Sequence, residues 1–159
     1  MDLSRRTLFG LGGVGLLAGI AALRSEAAVA TYPYRLSDAE WRRRLSPKAY
    51  AVLRQANTEY PGSSPLNKEH RRGIFACAGC GNALYRSQDK FESGTGWPSF
   101  TRAIPGHIET KTDRVLLMAR TEVVCARCGG HLGHVFDDGP PPTGKRYCMN
   151  GVAMRFVPA

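Results

Sequence analysis

The chain has 159 residues, 43% of them hydrophobic and 22% charged, with a formal net charge of +9. That balance excludes a disordered or fibrous chain, and beyond an N-terminal stretch unlike folded protein the remainder suffices for one core and not two. The basic residues are scattered, with Arg42, Arg43 and Arg44 the densest cluster, so the charge reads as a solvated surface and no nucleic-acid partner is expected.

In chain order, Ser4-Arg5-Arg6-Thr7-Leu8-Phe9 comes first, a paired arginine followed by bulky apolar residues, similar to the twin-arginine export signal. The stretch from Gly10 to Leu23 is glycine-rich and only weakly apolar, and it is shorter than the roughly 20 residues of a membrane span. Small-residue cleavage patterns follow at Ser25-Glu26-Ala27 and Ala28-Val29-Ala30. The expectation is a signal segment over residues 1–30 and a domain over residues 31–159, exported to the periplasm. The membrane is then met only through the signal, and the protein stays anchored there if the signal is uncleaved. A route that carries folded cargo also suits a chain that must acquire a thiolate-bound metal before entering an oxidising compartment.

Ser37-Asp38-Ala39-Glu40 fits a capping box, predicting a helix to about Leu45. Ser46-Pro47 is a second start, and Ala49, Val52, Leu53 and Ala56 recur at helical spacing to about Ala56. The arginine run is expected on the solvated face of the first helix. Pro61 to Pro65 form a loop. After that the pattern changes to short strands between glycine-rich turns: Gly73–Cys77, Ala83–Tyr85, Val115–Arg120, Glu122–Cys125, and a run from Arg146 through Asn150 to Val157. The fold class is mainly β, short antiparallel strands preceded by two small helices.

The five cysteines divide four plus one. Cys77-Ala78-Gly79-Cys80-Gly81 and Cys125-Ala126-Arg127-Cys128-Gly129 are two C-x-x-C-G knuckles, and the echo C-A-x-C-G-x-x-L extends to Leu84 and Leu132. A two-residue gap lets both sulfurs of a turn face one ion, and the following glycine lets the backbone fold round it. Two such turns supply a tetrahedral set for one Zn²⁺ through Cys77, Cys80, Cys125 and Cys128. With no open position, that ion stabilises and does not catalyse. Two disulfides and a rubredoxin-like iron site are the competing readings. Cys148 is left over, either a reactive thiol or a packed apolar residue. On an extended strand Arg146, Cys148 and Asn150 share a face, an arginine there would favour the thiolate, and His131 and His134 are available as proton donors.

Gly94-Thr95-Gly96-Trp97-Pro98-Ser99-Phe100, Gly130-His131-Leu132-Gly133-His134-Val135-Phe136 and Arg146-Tyr147-Cys148-Met149-Asn150, in this order with the two knuckles, resemble the signature blocks of B-type methionine sulfoxide reductases. The resemblance spans about Ser37 to Phe156. It implies two antiparallel sheets in a tent-like arrangement and reduction of methionine R-sulfoxide, free or in proteins. Cys148 would be the nucleophile that becomes a sulfenic acid. His131 and His134 would hold and protonate the sulfoxide oxygen, and Trp97 would pack against the substrate methyl group. Phe136 would complete the apolar wall, with Asn150 and Arg146 ordering the site. Many members carry a resolving cysteine where this chain has Thr95, so the sulfenic acid would be reduced by an external donor, a thioredoxin-like protein or small thiol.

Each residue also has a plainer reading. Trp97 and Phe136 are core aromatics and the two histidines brace a turn. Met149 and Met154 pack, and His70 and His107 sit on the surface. A rubredoxin-like electron carrier would explain the knuckles but not the histidine and Cys148 blocks, and the same holds for a zinc-ribbon binding module.

Overall fold

The computed structural model describes residues 32–114 and 119–159; the segment expected to direct export, residues 1–30, lies outside them. Helix α1 (Asp38–Arg44) starts at the anticipated capping box. The Ser37 side chain accepts from the Glu40 N–H, and the Glu40 carboxylate reaches back to the Ser37 N–H. Ser46 caps α2 (Pro47–Gln55) through the Ala49 N–H, with Pro47 in the first turn. Ala56 ends α2 in the left-handed conformation. Trp41, Ala49, Tyr50, Val52 and Leu53 are buried, while Arg42, Arg43 and Arg44 remain exposed.

The described strands are β1 (Gly73–Cys77), β2 (Ala83–Arg86), β3 (Lys90–Phe91), β4 (Ser99–Phe100), β5 (Ile108–Asp113), β6 (Arg120–Cys125), β7 (His131–Phe136), β8 (Arg146–Met149) and β9 (Met154–Pro158). They form two antiparallel sheets, one in the order β2-β1-β9 and the other β3-β4-β8-β7-β6-β5. Of the strand expected over Val115–Arg120, residues 115–118 lie outside the described residues, and Arg120 opens β6. The run expected from Arg146 to Val157 is two strands in different sheets, divided by a short 3-10 turn at Gly151–Ala153.

Between the sheets lies an aromatic cluster. Phe100 of β4 stacks on Tyr85 of β2 with centroids 4.3 Å apart and meets Phe75 of β1 edge-on at 4.9 Å. All three are fully buried, so this contact joins the sheets; truncating such a ring to alanine costs about 3–5 kcal/mol. α2 packs on β7 and on the turn after β8.

The six-stranded sheet therefore has one apolar face. Val123, Leu132, Met149 and Phe100 are fully buried in the core. Side chains alternate across a strand, so Glu122, His134 and Cys148, which are cross-strand neighbours in register, project from the other face. That face carries the chemistry.

Candidate active site and metal centre

Cys77 ends β1 and Cys125 ends β6, so the two knuckles are turns leaving two different sheets. Gly81 and Gly129, one residue past each knuckle, have φ of +76° and +68°, a conformation that glycine adopts without the steric cost a Cβ brings. The four sulfurs all lie within 4.8 Å of one another and all four residues are buried. Cys77 Sγ is 3.8 Å from Cys128 Sγ and Cys80 Sγ is 3.6 Å from Cys125 Sγ. Those separations far exceed a disulfide bond of about 2.05 Å, so the two-disulfide reading does not hold. They match the edge of a tetrahedron of thiolates about 2.3 Å from a central ion, which is roughly 3.8 Å. Asn82 donates its amide to Cys125 Sγ at 3.5 Å, a bond that favours a charged sulfur. The residues present fit a metal ion.

The other candidate residues meet on the polar face of the larger sheet. His131 and His134 are three apart and would point to opposite faces of a regular strand. A bulge prevents this: β6 pairs Val123 with Gly133 but Val124 with His131, so Leu132 is the extra residue. Both imidazoles then lie on the Cys148 side, with ring centroids 5.5 Å apart. Gly133 sits where β7 meets β8, and a Cβ there would collide with the Cys148 carbonyl oxygen, which explains a glycine at this point.

A pocket of about 200 Å³ opens beside Cys148, lined by Thr58, Trp97, Arg120, Gly133, His134, Phe136, Cys148 and Asn150. Five sequence-predicted residues are thus together: Cys148, Trp97, His134, Phe136 and Asn150. The Trp97 indole N–H is fixed by the Glu59 carbonyl at 3.1 Å, leaving its ring as wall. Asn150 is 3% exposed, and its amide is already engaged, Nδ2 donating to the Leu132 carbonyl at 3.1 Å and Oδ1 accepting from the Glu59 N–H at 2.9 Å. Its side chain holds the pocket together.

Two residues stand further back. His131 is 5% exposed and is not part of the pocket lining; its Nδ1 lies 2.6 Å from Glu122 Oε1. A carboxylate only accepts, so Nδ1 carries the hydrogen, and among the described residues the buried Nε2 has no hydrogen-bond partner. Burial pushes the His131 pKa below the ordinary imidazole value, against the opposing pull of Glu122. Arg146 is also outside the lining. Its guanidinium makes two bonds to Asp138, at 2.9 and 2.8 Å, and covers the Phe136 ring at 4.5 Å. The Asp138 carboxylate raises the Arg146 pKa first, and the Cys148 sulfur adds to the rise, so Arg146 still faces the nucleophile electrostatically.

Several contributors were not legible in the sequence. Asp113 Oδ2 accepts from His134 Nε2 at 2.9 Å and from Arg120 Nη2 at 2.8 Å. It comes from β5, over which no strand was expected, and the pairing of Asp113 with Arg120 across β5 and β6 is what places it. Glu122 sits on β6 between Thr121 and Val123, half-buried and outside every motif block. Beside the nucleophile runs a row of hydroxyls: Ser99 to Ser93 at 2.7 Å, Ser93 to Thr95 at 2.8 Å, and Thr95 Oγ1 to Cys148 Sγ at 3.8 Å. Thr95 therefore touches the nucleophile.

Chemically, the pocket offers a partly buried thiol beside an indole wall and an imidazole held by a carboxylate, with a second, buried imidazole behind that one. A family model described as the SelR domain matches residues 45–158. A protein from Bradyrhizobium diazoefficiens bearing the name peptide methionine sulfoxide reductase MsrB is 54% identical over 123 residues, 77% of this chain and 88% of the relative. Proteins of the same name from Leifsonia xyli and Methanosarcina barkeri are 52% and 53% identical, covering 84% and 76% of this chain and 97% and 85% of their own lengths.

Proposed function

This chain belongs to the SelR-domain family and is an oxidoreductase that reduces methionine sulfoxide, and from that premise we propose that Cys148 is the nucleophile of an R-epimer-specific reaction. The carrying observation is that Cys148 lines the same pocket as Trp97 and His134, with Thr95 Oγ1 3.8 Å from its sulfur. The Cys148 thiolate attacks the sulfoxide sulfur, with Trp97 against the methyl group and Phe136 closing the apolar side. The sulfur–oxygen bond of the substrate breaks and the oxygen ends on Cys148 as a sulfenic acid, its proton delivered from the histidine pair. Methionine sulfur gains two electrons and Cys148 loses two, so the exchange balances.

His134, oriented by Asp113, faces the oxygen, while His131 acts from behind it through its free Nε2, bridged by water. With four cysteines in the metal cluster and Thr95 beside Cys148, the chain holds no resolving thiol. A first external thiol then attacks the sulfenic sulfur, releasing water and leaving a mixed disulfide; a second thiol restores Cys148 and departs as the disulfide. A thioredoxin-like protein or a small thiol suits this role.

The four-cysteine cluster would hold one Zn²⁺, which when bound supplies folding energy to the junction of the two sheets. The residues named in the reaction do not depend on it for any bond or proton. We further propose export by the twin-arginine route, followed by cleavage after Ala27 or Ala30, on the strength of Arg5, Arg6 and the apolar residues behind them. The substrates would then be oxidised proteins, or free methionine sulfoxide, outside the cytoplasm.

The deciding assay is turnover of both epimers of a methionine sulfoxide peptide with dithiothreitol, by the protein and by Cys148→Ser. Loss of the R epimer alone, abolished by the substitution, is the expected outcome. Turnover of the S epimer, or persistence of activity in Cys148→Ser, would overturn the assignment.

A further inference from the structure

Glu59 lies outside every motif block, yet every polar group it owns is engaged at the site. Its N–H donates to Asn150 Oδ1 at 2.9 Å and its carbonyl accepts from the Trp97 indole at 3.1 Å. Its carboxylate accepts from the backbone N–H of Gly151 and, at 3.2 Å, from that of Val152. These two amides open the 3-10 turn at Gly151–Ala153, which follows the nucleophile strand directly.

The arrangement has a physical cause. The first amides of a helical turn have no partner within the turn and need an acceptor from elsewhere. Asn150 holds the cap position, but its side chain makes no capping bond there, being committed to Glu59 and Leu132 instead. A distant carboxylate therefore does the capping, and its charge strengthens both bonds. Burial pushes the Glu59 carboxyl up, and the Gly151 and Val152 amides pull against that.

We propose that Glu59 is a positioning residue for the reaction, its carboxylate clamping the segment that fixes Trp97 and Asn150 to the turn behind Cys148. It does not touch substrate; it acts through the two pocket walls it holds. This rests on the reading of the Cys148 pocket as the sulfoxide site. With the clamp removed, the segment around Glu59 has no charged tie to the turn, and the indole and the Asn150 amide lose the register between their partners. Misplacement of binding groups by about 1 Å is enough to cost on the order of a hundredfold in rate.

The test uses Glu59→Gln and Glu59→Ala in a Trp41→Phe background, where Trp97 is the sole remaining tryptophan. Tyr60→Ala serves as the control, because that side chain is 86% exposed and makes none of these bonds. Two quantities are read on metal-loaded protein that unfolds cooperatively: the Trp97 emission maximum, and kcat and KM for a methionine R-sulfoxide peptide. Glu59→Gln keeps the shape and one acceptor, so it is expected to fold while lowering kcat/KM roughly tenfold, chiefly through KM, and shifting Trp97 emission to the red. Glu59→Ala should do both more strongly, and Tyr60→Ala neither. Wild-type emission and kcat/KM in Glu59→Gln, with only a lower unfolding temperature, would overturn the proposal and leave a stability clamp. Failure of the parent protein to reduce the peptide would instead sink the reading of the pocket, while the emission data would still report on the clamp.

Discussion

Replacing Glu122 by glutamine separates two possible roles for His131. Glutamine keeps an acceptor 2.6 Å from Nδ1 but removes the charge that stabilises an imidazolium. The His131 side chain is 5% exposed and that of Glu122 21%, so solvent screens the pair only in part. A hydrogen bond to a charged group contributes about 1.5–3 kcal/mol against about 0.5–1.5 for a neutral one. The difference is on the order of 1–1.5 kcal/mol and lowers the His131 pKa further. Burial already holds that pKa below its ordinary value, so the protonated form is the minor species above pH 7, and its population falls roughly tenfold. If His131 supplies the proton for the departing oxygen, kcat/KM for a methionine R-sulfoxide peptide falls about tenfold at pH 7.5. The deficit then shrinks as the pH drops, because the alkaline limb of the profile moves to lower pH. The assay is the pH profile of kcat/KM from 5.5 to 8.5 for wild type and Glu122→Gln. A loss of the same size at every pH, or no loss, would refute proton delivery by His131 and leave Glu122 a structural partner.

Thr95→Cys would place a thiol where Oγ1 now lies 3.8 Å from Cys148 Sγ. After one turnover without reductant, thiol titration should show two fewer free thiols than before it; a loss of Cys148 alone would contradict the geometry. Gly133→Ala drives a Cβ into the Cys148 carbonyl and is expected to cost about 2–4 kcal/mol by denaturant unfolding, with activity lost in the folded fraction. Wild-type stability there would mean that β7 and β8 separate more easily than the register indicates. The metal cluster predicts one zinc per chain by elemental analysis and a large fall in unfolding temperature on chelation; a metal-free protein of unchanged stability would dismiss a structural ion.

Local chemistry made parts of this molecule readable from residues alone. Ser37 with Glu40 and Ser46 with Pro47 mark both helix starts because capping is settled within four residues. The knuckles declare four converging sulfurs because their spacing is set inside a single turn. What was hidden depends on partners far along the chain. Ile108–Asp113 alternates isoleucine and threonine with charged residues, a short period-2 pattern with no apolar face of its own, and only its pairing with β6 makes it a strand. The bulge at Leu132 is a property of two strands together, so nothing local showed how both histidines reach one side. Arg146 is bonded to Asp138 while still facing the Cys148 sulfur electrostatically, and Arg120, which no motif singled out, lines the pocket. Glu59 gave no signal because its partners, Trp97, Asn150 and Gly151, come from two later segments.

The sheet order also governs assembly. β8, which bears the nucleophile, inserts between β4 and β7, and β9 completes the smaller sheet by pairing Gly73 with Pro158. Both follow their partner strands in chain order, so each sheet waits with an open edge until the later strand is made. Closing such distant pairs is entropically slow, and the unpaired edges of β1, β4 and β7 are exposed to other chains in the interval. Refolding should accordingly be limited by docking of β8 and β9, and a chain lacking both strands should aggregate where one that carries them folds.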